Sequence, residues 1–118
     1  MISNDLENIN SLPEILFRNA KYFPTKKFLF KRIENSWSGK NYKEINRNVL
    51  KIAEAFTQKG IDKNDRIILI SSNRVEWVEI DLAIMTIGAV TVPTFDNNSV
   101  EDNIYIIKNC NPKLIVLE

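Results

Sequence analysis

Hydrophobic positions recur at helical spacing in the first half of the chain and gather into short continuous runs in the second. Tyr42, Ile45, Val49, Ile52, Ala53 and Phe56 mark one face of a helix whose opposite face carries Lys43, Arg47, Lys51 and Glu54. Asn41 and Glu44 have capping-box spacing at its start, and Gly60 supplies a left-handed stop beyond its end. An earlier helix opens at Ser11, with Glu14 three residues on and Pro13 in the first turn, where its missing N–H costs nothing. Leu12, Leu16, Ala20 and Phe23 form its apolar stripe and Pro24 stops it. Between the two helices, residues 28–33 read as a strand. Glu34, Asn35 and Ser36 read as a hairpin turn, and Trp37 belongs to the partner strand.

After Gly60 the pattern changes. Ile67, Ile68, Leu69 and Ile70 are four large apolar residues in a row, which predicts a strand buried on both faces of a parallel sheet. Asn73 is the predicted cap of the next helix, with Glu76 three residues on. From 80 to 87 that helix is apolar almost all round, as expected of one sandwiched between layers. A strand over 89–94, a turn at Asp96, Asn97 and Asn98, and a helix capped by Ser99 and carrying Val100, Ile104 and Ile107 follow. Asn111 and Pro112 end that helix, and 114–117 make a third buried strand. Helical crossovers of this length join parallel strands, nearly always right-handed. The predicted fold is therefore α/β: parallel strands with helical crossovers, preceded by a helix and a short hairpin. Three strands with too few helices for both faces look like an incomplete domain. The apolar faces of 80–87 and of the last strand are expected to be partly exposed.

Composition narrows the function. The chain has 118 residues, enough for one core, and 16 basic against 15 acidic residues leave a net charge of +1. No net field recruits nucleic acid, so none is expected as a partner. The chain has no histidine, which excludes Ser-His-Asp and Cys-His catalysis within it. One cysteine, Cys110, cannot form an internal disulfide and fits a reducing cytoplasm. Residues 1–10 are polar and acidic, unlike a secretory leader. The longest apolar run, 82–95, is broken by Gly88 and Pro93 and falls short of the roughly 20 residues that a membrane-spanning helix needs.

Gly39, Gly60 and Gly88 are isolated, so no glycine-rich phosphate loop exists, and no metal-ligand set stands out. Glu76 and Glu79 read as a cap and a solvent contact. Asp62 and Asp65 read as acceptors for local backbone donors, and Trp77 as a core or interface anchor. The turn after residue 93 differs. It follows a parallel strand and precedes a helix, so it lies either as a ligand-facing loop at the carboxyl edge of the sheet or as a plain capped turn.

Five short motifs occur in order. They are Phe23-Pro24, Tyr42-Lys43-Glu44, a glycine-to-Asp-Arg-Ile loop over 60–67 with Asn64 in a usual glycine position, Asn73 through Trp77, and Gly88-Ala89-Val90 running on to Pro93. Together they resemble the opening region of the adenylate-forming, AMP-binding ligases, over nearly the whole chain. Trp77 and the Thr94-Phe95 pair are similar to the long-chain fatty-acid–CoA ligase branch. The resemblance implies a parent enzyme that joins a fatty acid to ATP as an acyl-adenylate, with Mg2+, and transfers the acyl group to coenzyme A. The family's Pro-Lys-Gly loop, its magnesium and ribose carboxylates and its mobile-domain lysine have no counterpart here. No catalytic, cofactor-binding or metal-binding residue is therefore carried over.

Residues 1–118 are expected to be a partial adenylation domain truncated before the ATP-binding motifs and inactive alone. Its expected partners are the missing downstream part of its own chain, fatty acid, ATP and coenzyme A, with peripheral membrane contact by the parent. Thr94, Phe95, Asp96 and Asn97 are expected to face coenzyme A or substrate, although shorter-chain relatives often have glycine where Asp96 and Asn97 stand. The alternative is a complete, small α/β binding or interaction module without catalysis.

Overall fold

The computed structural model describes residues 8–118, so most of the polar stretch over 1–10, and the expectation that it is no secretory leader, lie outside the described residues. The elements are α1 (Leu12–Tyr22), β1 (Lys27–Ile33), β2 (Ser36–Asn41), α2 (Tyr42–Gln58), β3 (Arg66–Ile70), α3 (Val75–Thr86), β4 (Val90–Thr94), α4 (Val100–Cys110) and β5 (Leu114–Leu117). β1 and β2 pair antiparallel as a hairpin. The other three strands form a parallel sheet in the order β4-β3-β5. The α/β architecture read from the sequence is the one observed.

Local chemistry explains the well-defined ends. At the start of α2 the Asn41 side chain accepts from the Glu44 amide at 2.9 Å, and the Glu44 carboxylate accepts from the Asn41 amide at 2.8 Å. The predicted capping box is complete. Gly60, at φ +81°, lets the Ile61 amide reach Phe56 and its own amide reach Thr57, closing the last turn of α2. Gly88, at φ +75°, ends α3 in the same way, with Ala89 bonded to Ile84 and Gly88 to Met85. Asn64 adopts the left-handed geometry expected of a glycine substitute, at φ +69°. Its amide donates to the Gly88 carbonyl at 2.9 Å, which ties the loop before β3 to the loop before β4.

Other ends differ from expectation. Ser11 is the N-cap of α1, but its side chain makes no cap bond, and Glu14 accepts instead from the Asn10 amide. The residue that caps α3 is Arg74, not Asn73, because the chain stays extended one residue longer before the helix begins. On α1, Leu16 and Pro13 are buried while Leu12 and Phe23 are exposed, since only the middle of the predicted stripe reaches α2 and α3.

β3 is the centre of the sheet. Ile67, Ile68 and Leu69 are fully buried although they alternate between faces, so both faces are covered. Ile67, with Leu114 and Val116 of β5, packs against Leu82, Ala83 and Ile84 of α3, behind which lie α2 and α1. The link from β4 to β5 has to pass β3, and a right-handed crossover carries α4 over the opposite face, that of Ile68. One expectation is corrected and another is met. The middle of the apolar stretch of α3, Leu82 to Ile84, is buried beneath α1, α2 and the sheet. One face of β5 is exposed as expected, and Val100, Tyr105 and Leu117 stand in solvent on α4 and β5.

Glu79 is a further correction. It is 4% exposed rather than a solvent contact, and it accepts from Asn48 of α2 at 2.9 Å and from the Lys40 ammonium of β2 at 3.4 Å. Its partners come from 31 and 39 residues away, which no local spacing could show. The carboxylate thereby pins the base of the hairpin and α2 to α3.

Two predictions follow from these contacts. Asn41→Ala should cost about 1 kcal/mol in urea unfolding, while Ser11→Ala should stay within about 0.5 kcal/mol; equal losses at the two positions would contradict the cap assignment. Glu79→Ala should cost about 1–3 kcal/mol by removing the acceptor that the half-buried Asn48 and Lys40 share, with Glu79→Gln milder because it keeps an acceptor.

Candidate functional site at the carboxyl edge of the sheet

β3 and β4 run side by side and end together, with Ile70 paired to Thr94. The chain leaving β3 turns toward α3 on one face, and the chain leaving β4 turns toward α4 on the other. Diverging loops at adjacent strand ends open a crevice, and open α/β sheets bind ligands at such switch points. Here the crevice has a volume of about 510 Å³. Ser71, Ser72, Asn73 and Trp77 form one wall, and Pro93, Thr94, Phe95 and Asp96 form the other.

Of the four loop residues singled out from the sequence, Thr94, Phe95 and Asp96 line this crevice, and Asn97 is exposed beyond it. The Thr94 hydroxyl accepts from Asn98 Nδ2 at 2.6 Å, and the Asn98 amide donates to the Phe95 carbonyl at 3.4 Å, which folds the loop back on itself. Phe95 is 75% exposed and also lines a second hollow of about 310 Å³ that Asp102, Tyr105 and Ile106 of α4 complete. Ser99 is spent on its own helix, accepting from the Asp102 amide at 3.1 Å. Asp65 accepts from the Asp62 amide at 2.7 Å, the local structural role expected of it. Trp77, half-buried, proves to be a wall of the crevice.

The sequence reading missed the anchor of the opposite wall. The Glu118 carboxylate, just past β5, accepts from the Ser72 amide at 3.1 Å and from the Ser72 hydroxyl at 2.8 Å. Its other oxygen meets the Arg74 guanidinium at 2.6 Å, and Arg74 also bonds Glu76 at 3.0 Å. The Ser72 hydroxyl and amide, with Arg74 behind them, pull the Glu118 pKa down to about 2. Glu76 is held below its ordinary value by its own backbone amide and by Arg74, and Arg74 is raised by both carboxylates, Glu76 first. The signal was present in principle. Ser71, Ser72 and Arg74 follow one parallel strand and Glu118 another, so all stand at the same sheet edge. Among the described residues no group of three or more His, Cys, Asp or Glu side chains could hold a metal ion, and no helix is long and apolar enough to cross a membrane.

A parallel sheet with a crevice at its switch point defines the chain as an open α/β unit. Comparison with known proteins makes the class specific: residues 16–118 match the AMP-binding enzyme family, and the chain belongs to that family. It is 24% identical over 109 residues to the long-chain-fatty-acid–CoA ligase FadD15 of Mycobacterium tuberculosis, a match spanning 92% of this chain and 18% of the relative. It is 30% identical over 77 residues to the chloroplastic long-chain-fatty-acid–[acyl-carrier-protein] ligase AEE15 of Arabidopsis thaliana, spanning 65% of this chain and 11% of that protein. Among solved structures, the fatty acid AMP ligase of Legionella pneumophila superposes with a TM-score of 0.89 at 17% identity. That match covers 96% of this chain and 20% of the neighbour. The chain thus spans about a tenth to a fifth of the length of these proteins.

The Glu118 contacts carry a pH prediction. A carboxylate whose pKa is depressed in the folded state contributes stability that is complete above its ordinary pKa, near 4.5, and lost as pH falls toward 2. The Ser72 amide resonance should accordingly titrate with a midpoint near 2 and become flat in Glu118→Gln; a midpoint near 4.5 would mean that the clamp does not form in solution.

Proposed function

We propose that this chain supplies the amino-terminal framework of an ATP-dependent ligase that activates a fatty acid as its acyl-adenylate and passes the acyl group to coenzyme A. In that chemistry a substrate carboxylate oxygen attacks the α-phosphorus of ATP, pyrophosphate leaves, and the coenzyme A thiol then displaces AMP from the acyl carbon. The proposal draws on family membership and on the naming of relatives for long-chain fatty acids. The observation that carries it is the crevice between β3 and β4, which sets Trp77 and Phe95 around one hollow beside the hydrogen-bonding Ser71, Ser72 and Thr94. Apolar rings among a few polar groups suit an acyl or pantetheine chain better than a triphosphate.

ATP and Mg2+ find no cradle among the described residues, whose crevice offers neither a glycine-rich loop nor converging carboxylates. We therefore assign their binding to downstream polypeptide and regard the chain alone as inactive. Thr94, Phe95, Asp96 and Asn97 form the proposed coenzyme A- or substrate-facing loop. The lone free thiol Cys110 fits a cytoplasmic setting. Exposed Val100, Tyr105 and Leu117 on α4 and β5 weigh against a self-contained binding module, which would close over such residues.

Two measurements test this reading. The purified chain should give no ATP–pyrophosphate exchange above blank with fatty acid and Mg2+; robust exchange would overturn its dependence on further polypeptide. Coenzyme A titrated into the labelled chain should move the amide resonances of residues 94–97. Shifts confined to other residues would remove the loop from the proposed site.

A further inference from the structure

We propose that the free edge of β1 is a docking site for an extended, acidic segment of another polypeptide. The segment adds to the hairpin as a third strand and fills the hollow between the hairpin and the start of α3. The site does not depend on the ligase reading, because no group it uses takes part in the proposed chemistry.

The hollow has a volume of about 500 Å³. Four consecutive residues of β1, Leu29, Phe30, Lys31 and Arg32, border it, and Val75 and Val78 of α3 stand across from them. Successive side chains of a strand point to opposite faces, so four in a row border one hollow only along the strand's edge. That edge is unpaired, since β1 bonds only to β2. Ile33 and Ser36 flank a two-residue turn, and in such a hairpin the flanking pair exchanges both backbone bonds while the next pair exchanges none. By that alternation Phe30 and Arg32 turn their N–H and C=O groups away from β2 and toward the hollow. Such an edge is a template for a further strand.

The side chains along this edge set what the added strand has to carry. On one face of β1 the apolar Leu29 is followed by Lys31, and on the other Phe30 is followed by Arg32. Side chains of neighbouring strands pair across the sheet, so the complement is two adjoining apolar residues next to two adjoining acidic ones. Val75 and Val78 extend the apolar part of the hollow, and Trp37, 68% exposed, lies opposite Arg32 on β2. Arg32 donates to the Glu34 carbonyl at 3.3 Å, and neither Lys31 nor Arg32 meets a carboxylate among the described residues. The Arg74 guanidinium, also at the hollow, is already held by Glu76 and Glu118.

Charge decides between occupants. β1 carries Lys27, Lys31 and Arg32 and no acidic residue. Two copies of this edge would bring like charges together, which cross-strand pairing penalises. A nucleic acid would use the cations but leave the backbone donors and acceptors of the edge unmatched. An acidic polypeptide meets both. The edge is also held ready for it. Phe28 stacks on Tyr42 with ring centroids 4.7 Å apart, Leu29 packs against the core, and Lys40 ties the neighbouring strand to Glu79. With the edge preformed, the ordering cost of binding falls on the incoming segment alone.

The test uses the full 118-residue chain, isotopically labelled, at physiological salt. The probe is a blocked octapeptide with two valines followed by two glutamates between flanking threonines, and its reversed sequence serves the opposite strand direction. The expected result is saturable binding of one of the two peptides. The Phe30 and Arg32 amide resonances should shift and gain protection from exchange more than those of Lys31 and Ile33, which face β2. Methylating alternate peptide amides should abolish binding in one alternation and spare it in the other. Lys31→Glu with Arg32→Glu should weaken binding about ten-fold while the circular dichroism spectrum is retained, and should favour a peptide with lysines in place of the glutamates by a similar factor. Binding of neither peptide, shifts confined to other residues, equal tolerance of both methylation patterns, or affinity unchanged by the charge reversal would each overturn the proposal. So would an edge that prefers single-stranded DNA or a second copy of the chain to the acidic peptide.

Discussion

Double-sided burial of β3 is the constraint on which the rest of the molecule depends. A strand with Ile67, Ile68 and Leu69 all removed from water needs a partner on each edge and a layer on each face. β4 and β5 supply the edges. The layers have to come from α3 on one side and from the crossover to β5 on the other, because both helices are anchored to strands beside β3. The connections leaving β3 and β4 are thereby sent to opposite faces, and the crevice opens between them. The cavity follows from satisfying one strand, without a residue devoted to making it.

The supporting layer obeys a similar economy. α3 is apolar enough over 80–87 to serve the sheet on one side and α1 and α2 on the other, so it acts as a shared wall. Its one buried charge, Glu79, faces the hairpin. There Lys40 and Asn48 meet it, and a carboxylate that would be costly alone fixes where the two-stranded ribbon sits. The hairpin is consequently fixed at its root to both α2 and α3.

Much of this was legible in the sequence because the governing signals are local. Asn41 with Glu44, Gly60, Gly88 and the run from Ile67 each declare a helix start, a stop or a strand within a few residues, and each was found as read. The loop from Thr94 was placed at the sheet edge by the order of strand and helix alone. The misses share a different cause. Glu79 was assigned to solvent because its partners lie over thirty residues away. Ser72 and Glu118 meet only after β3 and β5 have paired. β5 was read as a strand with a partly exposed apolar face, but that Ile115 and Leu117 make that face was not legible, because four apolar residues in a row say nothing about which neighbour covers which face.

The bond between Asn64 and the Gly88 carbonyl has a consequence for how such a unit changes over time. It stitches the starts of β3 and β4 together at the edge of the sheet away from the crevice, where two glycine-terminated helices already fix the chain's path. At the other edge, residues 94–98 are held mainly by their own short-range bonds. One rim of the sheet is thus frozen and the other is free to vary, so new loop sequences can be tried at the crevice with little penalty to folding. That division lets recognition drift while the frame is inherited intact.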